Sequence, residues 1–402
     1  MPKDLLIHRK GGEIEVAIVE NGVLVRFWRE AGAGAAPRIG DVVLGRVTQV
    51  VPGINAAFVD IGAPRAAFLA ARDAVPRREE NAGNPRIGEC VHEGEAISVQ
   101  IVKEPLGEKG ARVSRRIFFA GRLLVLVPEG AEISVSRRIE DKDERARLAA
   151  IVSGLAEQGA GYIVRTGAEG ASEAELRADA TQLIHASREA LRKRAAASAP
   201  ETLHRELSPA LRILRDETAG VDHIVLDDGE AVASARAYAG RAAPHLADKI
   251  AHHAGSAPLF ESFGIAGEIA ALGLGRVPLA SGAWITIEET EALTAIDVNS
   301  GKYRAAGGQD AMALAVNREA AAAIGRQIVL RGLGGLIVID FIDMIPAEKL
   351  GSVTQVLRGE LAKDKAPVQI AMVPEFGLVA LTRKRVRNSA ARTAERVDDD
   401  DG

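Results

Sequence analysis

The sequence predicts an α/β protein built from several domains, and three observations predict it. The chain has 402 residues, more than one core usually organises, and 47% of them are hydrophobic, enough for packed interiors. Residues 38–118 carry short strand-like runs between Gly-rich turns, the pattern of a small barrel. Residues 276–378 alternate strand-like and helix-like segments, the pattern of a parallel sheet with crossover helices.

In residues 1–35, two loosely alternating runs, 13–19 and 22–27, flank Asn21-Gly22. That dipeptide supplies the two left-handed residues of a tight hairpin turn, so a hairpin at the edge of a sheet is expected. The barrel region reads as strands at 42–50, 56–62 and 96–102, with a long surface loop at 77–86. Residues 119–205 change character. A strand-like run at 123–127 precedes a helix at about 140–158 and a short strand at 162–166. Ser172 then opens a second helix, with Glu175 three residues on as a capping box, running to about 197. Residues 206–275 are mixed, with a strand at 223–226.

The clearest segment is 276–378. One strand is expected over 283–299, ending in Ala295-Ile296-Asp297-Val298-Asn299. A helix at 309–330 follows, with Leu314, Asn317, Ala321, Ile324 and Ile328 on one face. Gly334-Gly335 leads into Leu336-Ile337-Val338-Ile339-Asp340-Phe341, an apolar run of the kind buried on both faces. A helix at 347–363 turns Leu350, Val353, Leu357 and Leu361 inward, and a strand at 368–373 closes the pattern. From Arg383 onward the chain is basic and then acidic, a frayed tail.

Composition excludes several classes. With 51 Lys and Arg against 55 Asp and Glu, the net charge is −4, so any polyanion binding must come from local patches or bound cations. The single cysteine, Cys90, excludes an internal disulfide framework and suits a reducing cytoplasm. Residues 1–8 are too polar and short for a signal peptide, and no uncharged apolar stretch reaches 18 residues, so no membrane partner is expected.

Asp297 and Asp340 each end a buried apolar run. If one helix joins two parallel strands, their C-terminal ends share one sheet edge, where ligands of open α/β sheets bind. Two carboxylates so close repel, and a divalent cation relieves that repulsion. Mg2+ takes one or two carboxylates with waters and phosphate oxygens, and can promote in-line attack on a phosphodiester. Asn299, two residues from Asp297, shares its face and can orient its carboxylate. Asp343 would point to the opposite face while the strand continues, and ranks below Asp340. Asn317 on an apolar helix face needs a partner and can serve the same site. Asp at strand ends is also ordinary loop chemistry, and pattern alone leaves both readings open.

Two segments make the pattern specific. Glu289-Thr290-Glu291-Ala292-Leu293-Thr294-Ala295-Ile296-Asp297-Val298-Asn299-Ser300-Gly301 resembles the catalytic signature of the ribonuclease E/G family. So does Gly334-Gly335-Leu336-Ile337-Val338-Ile339-Asp340-Phe341-Ile342-Asp343-Met344, at the family spacing. The resemblance covers nearly the whole chain. It implies a Mg2+-dependent endoribonuclease that cuts single-stranded RNA in RNA processing and decay, favours 5′-monophosphorylated ends and leaves 5′-phosphate products. It also implies an RNase H-like fold in two parts (1–37 and 206–275) with an inserted S1, or OB-type, barrel (38–118). A 5′-sensor region (119–205), a DNase I-like catalytic subdomain (276–380) and a charged tail (381–402) complete the layout. Asp297 and Asp340 would hold the metal, with Asn299 in support.

By the same resemblance Phe58, Phe68 and Lys109 contact RNA. Exposed aromatics on an OB barrel stack unpaired bases with little sequence preference, although both rings could instead be barrel core. Arg165 and Thr166 match the family's 5′-monophosphate recognition, with Arg137 in the same sensor region. A guanidinium fork beside a hydroxyl suits a terminal phosphate; a solvated Arg at a strand end is the bland alternative. No cysteine follows Cys90, so the family's Cys-x-x-Cys zinc link is missing and a zinc-linked tetramer is not expected, while a homodimer stays compatible. Pro367 stands where the family carries a helper Arg. Two other functions compete: a non-catalytic S1-type RNA-binding protein, which would not need Asp297, Asn299 and Asp340 together, and a phosphatase acting on small phosphoesters.

Overall fold

A computed structural model of the chain describes residues 2–31, 38–75, 85–105, 109–130, 132–156, 160–301, 308–344, 349–362, 364, 366–373 and 378–384. Most of the surface loop expected at 77–86, and the tail beyond Lys384, lie outside the described residues. Two compact units organise the chain, one drawn from residues 1–32, 220–236 and 245–402, the other from 33–219 and 237–244.

The first unit holds two sheets. In the five-stranded one, Ile250–His252, His223–Leu226, Lys3–Lys10, Glu13–Glu20 and Val23–Ala31 lie side by side in that order. Asn21 (φ 55°) and Gly22 (φ 77°) are both left-handed, as a two-residue hairpin turn between right-twisted strands requires. The sequence reading missed the strand Lys3–Lys10, which is central: it pairs antiparallel with Glu13–Glu20 and parallel with His223–Leu226. Leu6, Ala17, Val19, Leu24 and Phe27 pack from this sheet against Leu259, Phe260 and Ile265, and against Leu330 of the helix Gln309–Leu330.

The second sheet has six strands in the order Arg276–Pro278, Trp284–Glu289, Leu293–Asn299, Gly335–Asp340, Leu378–Arg383, Val368–Val373. It corrects four expectations. The single strand expected over 283–299 is a hairpin, folded at residues 290–292, where Thr290 Oγ donates to Leu293 O (2.7 Å) and accepts from Leu293 N (3.1 Å). The sheet is mixed rather than parallel: only Leu293–Asn299 and Gly335–Asp340 form a parallel pair, and the unanticipated strand Leu378–Arg383 inserts antiparallel between Gly335–Asp340 and Val368–Val373. The run 336–341 is buried on one face only, because both long helices cover the same side. Ile337 and Ile339 are fully buried among Val316, Ile324, Ile328, Val353 and Leu357, whereas Leu336 is 40% exposed on the open face. Arg383 likewise does not begin a frayed tail. It is buried, donating from Nε to Asp364 Oδ2 and from Nη1 to Leu333 O, each at 2.6 Å.

In the second unit, Val42–Val51, Ala56–Asp60, Ala67–Ala70, Arg112–Ser114 and Ala96–Lys103 form a five-stranded barrel, closed by pairing of the first with the last. This closure fits an S1-like OB fold. Its interior is Val43, Val47, Ala57, Val59, Ala67, Leu69, Val99 and Ile101. A small sheet follows, ordered Ile133–Val135, Gly161–Val164, Leu124–Val127, Phe119–Ala120, and packed by the helices Lys142–Leu155 and Glu173–Ala196. Ser172 caps the longer helix in a reciprocal capping box with Glu175.

Candidate active site on an open sheet face

Asp297 and Asp340 are register partners across the one parallel ladder of the six-stranded sheet. Directly paired residues share a pleat, so both side chains leave on one face, from backbones about 4.8 Å apart. That face is opposite the helices, and both carboxylates are exposed on it. Asn299, two positions on, donates from Nδ2 to Asp297 Oδ2 at 2.5 Å and so fixes that carboxylate. The Asp340 carboxyl is held above the usual carboxylate range, first by partial burial, then by the negative charges of Asp297 and Asp343.

Asp343 lies beyond the end of the strand at Asp340, so the alternation argument that set it on the far face does not apply; its charge reaches Asp340. Asn317 is fully buried and finds its partner in the chain that leaves Asp340: Nδ2 donates to Ile342 O at 2.7 Å, and Oδ1 accepts from Ile342 N at 3.0 Å. No group of three or more His, Cys, Asp or Glu side chains suited to a metal occurs among the described residues. The donor set here is two carboxylates and an amide, all hard oxygen chemistry. It fits an ion that keeps several of its own waters, as Mg2+ does.

Three side chains on this face escaped the sequence reading. Trp284 is the register partner of Asn299, and Thr286 of Asp297. Arg276, partner of Thr286, lays its guanidinium over the Trp284 ring, 3.8 Å from the centroid. The available signal was weak: one of only two tryptophans, sitting on the outward phase of a strand.

In the other unit, Phe58 and Phe68 are register partners on the outside of the barrel, half-buried, with rings 6.1 Å apart at 74°. The core alternative fails for both, since Ala57, Val59, Ala67 and Leu69 fill the interior. The row they belong to runs Gln49, Phe58, Phe68, Arg112, Lys103 across the strands. Lys109 is exposed. The next residue, Gly110, passes so close to the backbone of Ala66 that a Cβ there would lie 2.1 Å from its carbonyl oxygen.

Arg165 is not a free solvated end. Its Nη1 donates to Gly121 O at 2.5 Å and its Nη2 meets Asp216 Oδ1 at 2.7 Å. Asp216 is held below the usual carboxylate range despite burial, by Arg215 and Arg165. The Gly121 turn is itself fixed by Asp179, whose carboxylate accepts from the amides of Arg122, Leu123 and Leu124. Thr166 Oγ1 hydrogen-bonds Ser136 Oγ at 2.9 Å, which brings it to the loop carrying exposed Arg137. Arg145 pins that loop by donating to Ser136 O (2.6 Å) and Val135 O (3.3 Å). No described helix is long and apolar enough to cross a membrane.

A family model described as the Ribonuclease E/G family matches residues 119–386. Ribonuclease G of Haemophilus influenzae is 39% identical over 396 residues, covering 96% of this chain and 80% of that protein. Ribonuclease G of Escherichia coli K12 is 37% identical over 399 residues, covering 97% of this chain and 81% of that protein. Ribonuclease E of Escherichia coli K12 is 36% identical over 394 residues, covering 96% of this chain but 37% of that longer protein.

Proposed function

This chain belongs to the ribonuclease E/G family and is an endoribonuclease, and from that premise we propose that Asp297 and Asp340 carry its chemistry with Mg2+ on single-stranded RNA. The observation that carries the reading is their pairing in register, exposed on an uncovered sheet face, with Asn299 on Asp297. The two carboxylates would hold the ion. When bound, it supplies positive charge at the phosphodiester and lowers the pKa of water there. The chain's own part is positional. Asn299 holds the Asp297 carboxylate in one orientation, and Asn317 fixes the Ile342 peptide and with it the chain leaving Asp340. The proton affinity of Asp340 is raised first by partial burial and then by the charges of Asp297 and Asp343, and a bound cation would offset the second of these.

Within the same reading, Phe58 and Phe68 stack unpaired bases and Lys109 contacts the backbone. Thr166 and Arg137, with Arg165 anchored on Gly121 and Asp216, receive a 5′-monophosphate. The enzyme acts in cytoplasmic RNA processing and decay. The test is cleavage of an unstructured oligonucleotide, 5′-monophosphorylated or 5′-hydroxyl, with and without Mg2+. Asp297→Asn and Asp340→Asn should each lower kcat by at least about a thousandfold while retaining RNA binding. Cleavage by both variants at the wild-type rate would remove the site, and equal rates on the two 5′ ends would remove the sensor role.

A further inference from the structure

We propose that the Arg276–Trp284 stack is a nucleobase subsite, in which a base of the single-stranded RNA beside the cut phosphodiester lies flat on the outer face of the Arg276 guanidinium. This rests on the cleavage reading for Asp297 and Asp340 and adds to it a surface that selects how the strand lies.

Four observations lead there. First, the stack is on the reacting face. Arg276, Thr286, Asp297 and Asp340 are successive register partners across four strands, and Trp284 faces Asn299 across the ladder. Two interstrand steps put Arg276 about 10 Å from Asp297, within reach of a nucleotide neighbouring the one that is cut. Second, the guanidinium already has a stacking partner. At 3.8 Å from the Trp284 centroid it is at stacking distance, and an Arg plane stacked on an aromatic loses little further freedom when it takes a ligand.

Third, Arg276 is exposed and, among the described residues, has no carboxylate partner, on a face that carries Glu288, Asp297 and Asp340. It offers positive charge beside those acids. Fourth, the ring itself is walled in. Gly301 runs so close that a Cβ there would sit 2.7 Å from Trp284 Cζ3. With Arg276 over the ring and the Gly301 backbone close to it, the half-buried indole is a support for the exposed guanidinium. Arg planes stack unpaired RNA bases in the same way as aromatic rings.

The competing possibility is a surface cation–π pair that only braces the hairpin. Cleavage kinetics on an oligonucleotide with one cut position separate the two, using the parent and a set in which each nucleotide flanking the cut is in turn made abasic. For the wild type, one abasic position should raise KM about tenfold, the worth of one stacked base. Arg276→Ala should raise KM on the parent by about the same factor, leave kcat within about twofold, and lose the response to that abasic position. Arg276→Lys, which keeps the charge but not the plane, should be equally insensitive to it, while Trp284→Phe, which keeps a stacking ring, should restore most of the wild-type pattern. An Arg276→Ala enzyme with wild-type KM, or one that still responds to the abasic position as the wild type does, would overturn the subsite and leave the brace. Absence of any Mg2+-dependent cutting by the wild type would instead remove the cleavage reading, and the subsite with it.

Discussion

Asn317→Ala tests whether the loop beyond Asp340 is held by one buried amide. Asn317 has no exposed surface and makes two hydrogen bonds to the backbone of one residue, at 2.7 Å to Ile342 O and 3.0 Å from Ile342 N. Truncation removes both and leaves a backbone donor and acceptor to find partners. An unsatisfied buried group costs ~1–3 kcal/mol. Ile342 is half-buried, so water recovers part of this, and ~2–4 kcal/mol is the expected loss. For a unit of this size that lowers Tm by about 5–12 °C. Because Ile342 is two residues from Asp340, the freed loop should also lower kcat about tenfold with KM nearly unchanged, since no RNA contact is removed. Asn317→Asp keeps an acceptor for Ile342 N but turns an oxygen toward Ile342 O, and should be less stable than the alanine variant. The measurements are thermal unfolding and steady-state cleavage at saturating Mg2+. An alanine variant that melts within about 1 °C of wild type and cuts at the same kcat would refute the argument.

On the barrel, Phe58→Ala and Phe68→Ala should each raise KM for an unstructured oligonucleotide about five- to tenfold, the lower part of the stacking range, since both rings are already half-buried. Their edge contact at 6.1 Å makes the double variant less than multiplicative; unchanged KM in both single variants would argue against this row as the RNA surface. His204, packed edge-on against Phe119 at 5.0 Å, has its pKa lowered by burial, partly offset by Glu206, Asp41 and Glu189 and reinforced by Lys193. Below about pH 6.5 the unfolded chain takes up a proton that the folded chain resists, so stability should fall as pH drops from there toward the folded value. His204→Gln should lose less stability over pH 7–5 than wild type in thermal melts; parallel curves would show that this imidazole does not contribute.

Local chemistry was legible in the sequence. Asn21-Gly22 specified its hairpin because few residues tolerate two left-handed dihedrals, and Ser172 with Glu175 specified a helix start because those side chains satisfy amides three residues away. The two helices on the six-stranded sheet followed from a 3.6-residue period, and the expectation that Asp297 and Asp340 share one edge followed from chain connectivity. Each of these rests on interactions among near neighbours or on the geometry of a crossover.

What the tertiary structure decided is every partner chosen at long range. An apolar run such as 336–341 has the same letters whether one or two layers cover it, and here, among the described residues, only one side is packed, which leaves both Asp side chains exposed. The strand Leu378–Arg383 takes the place beside Gly335–Asp340 that the simple pattern gave to Val368–Val373, and draws Arg383 into the interior with Asp364. Asn317 meets Ile342, Arg165 meets Asp216, and Arg276 meets Trp284 for the same reason. Periodicity sets which way a side chain leaves its own backbone. Which group it then meets depends on how separate layers and strands come together, and no local pattern carries that information.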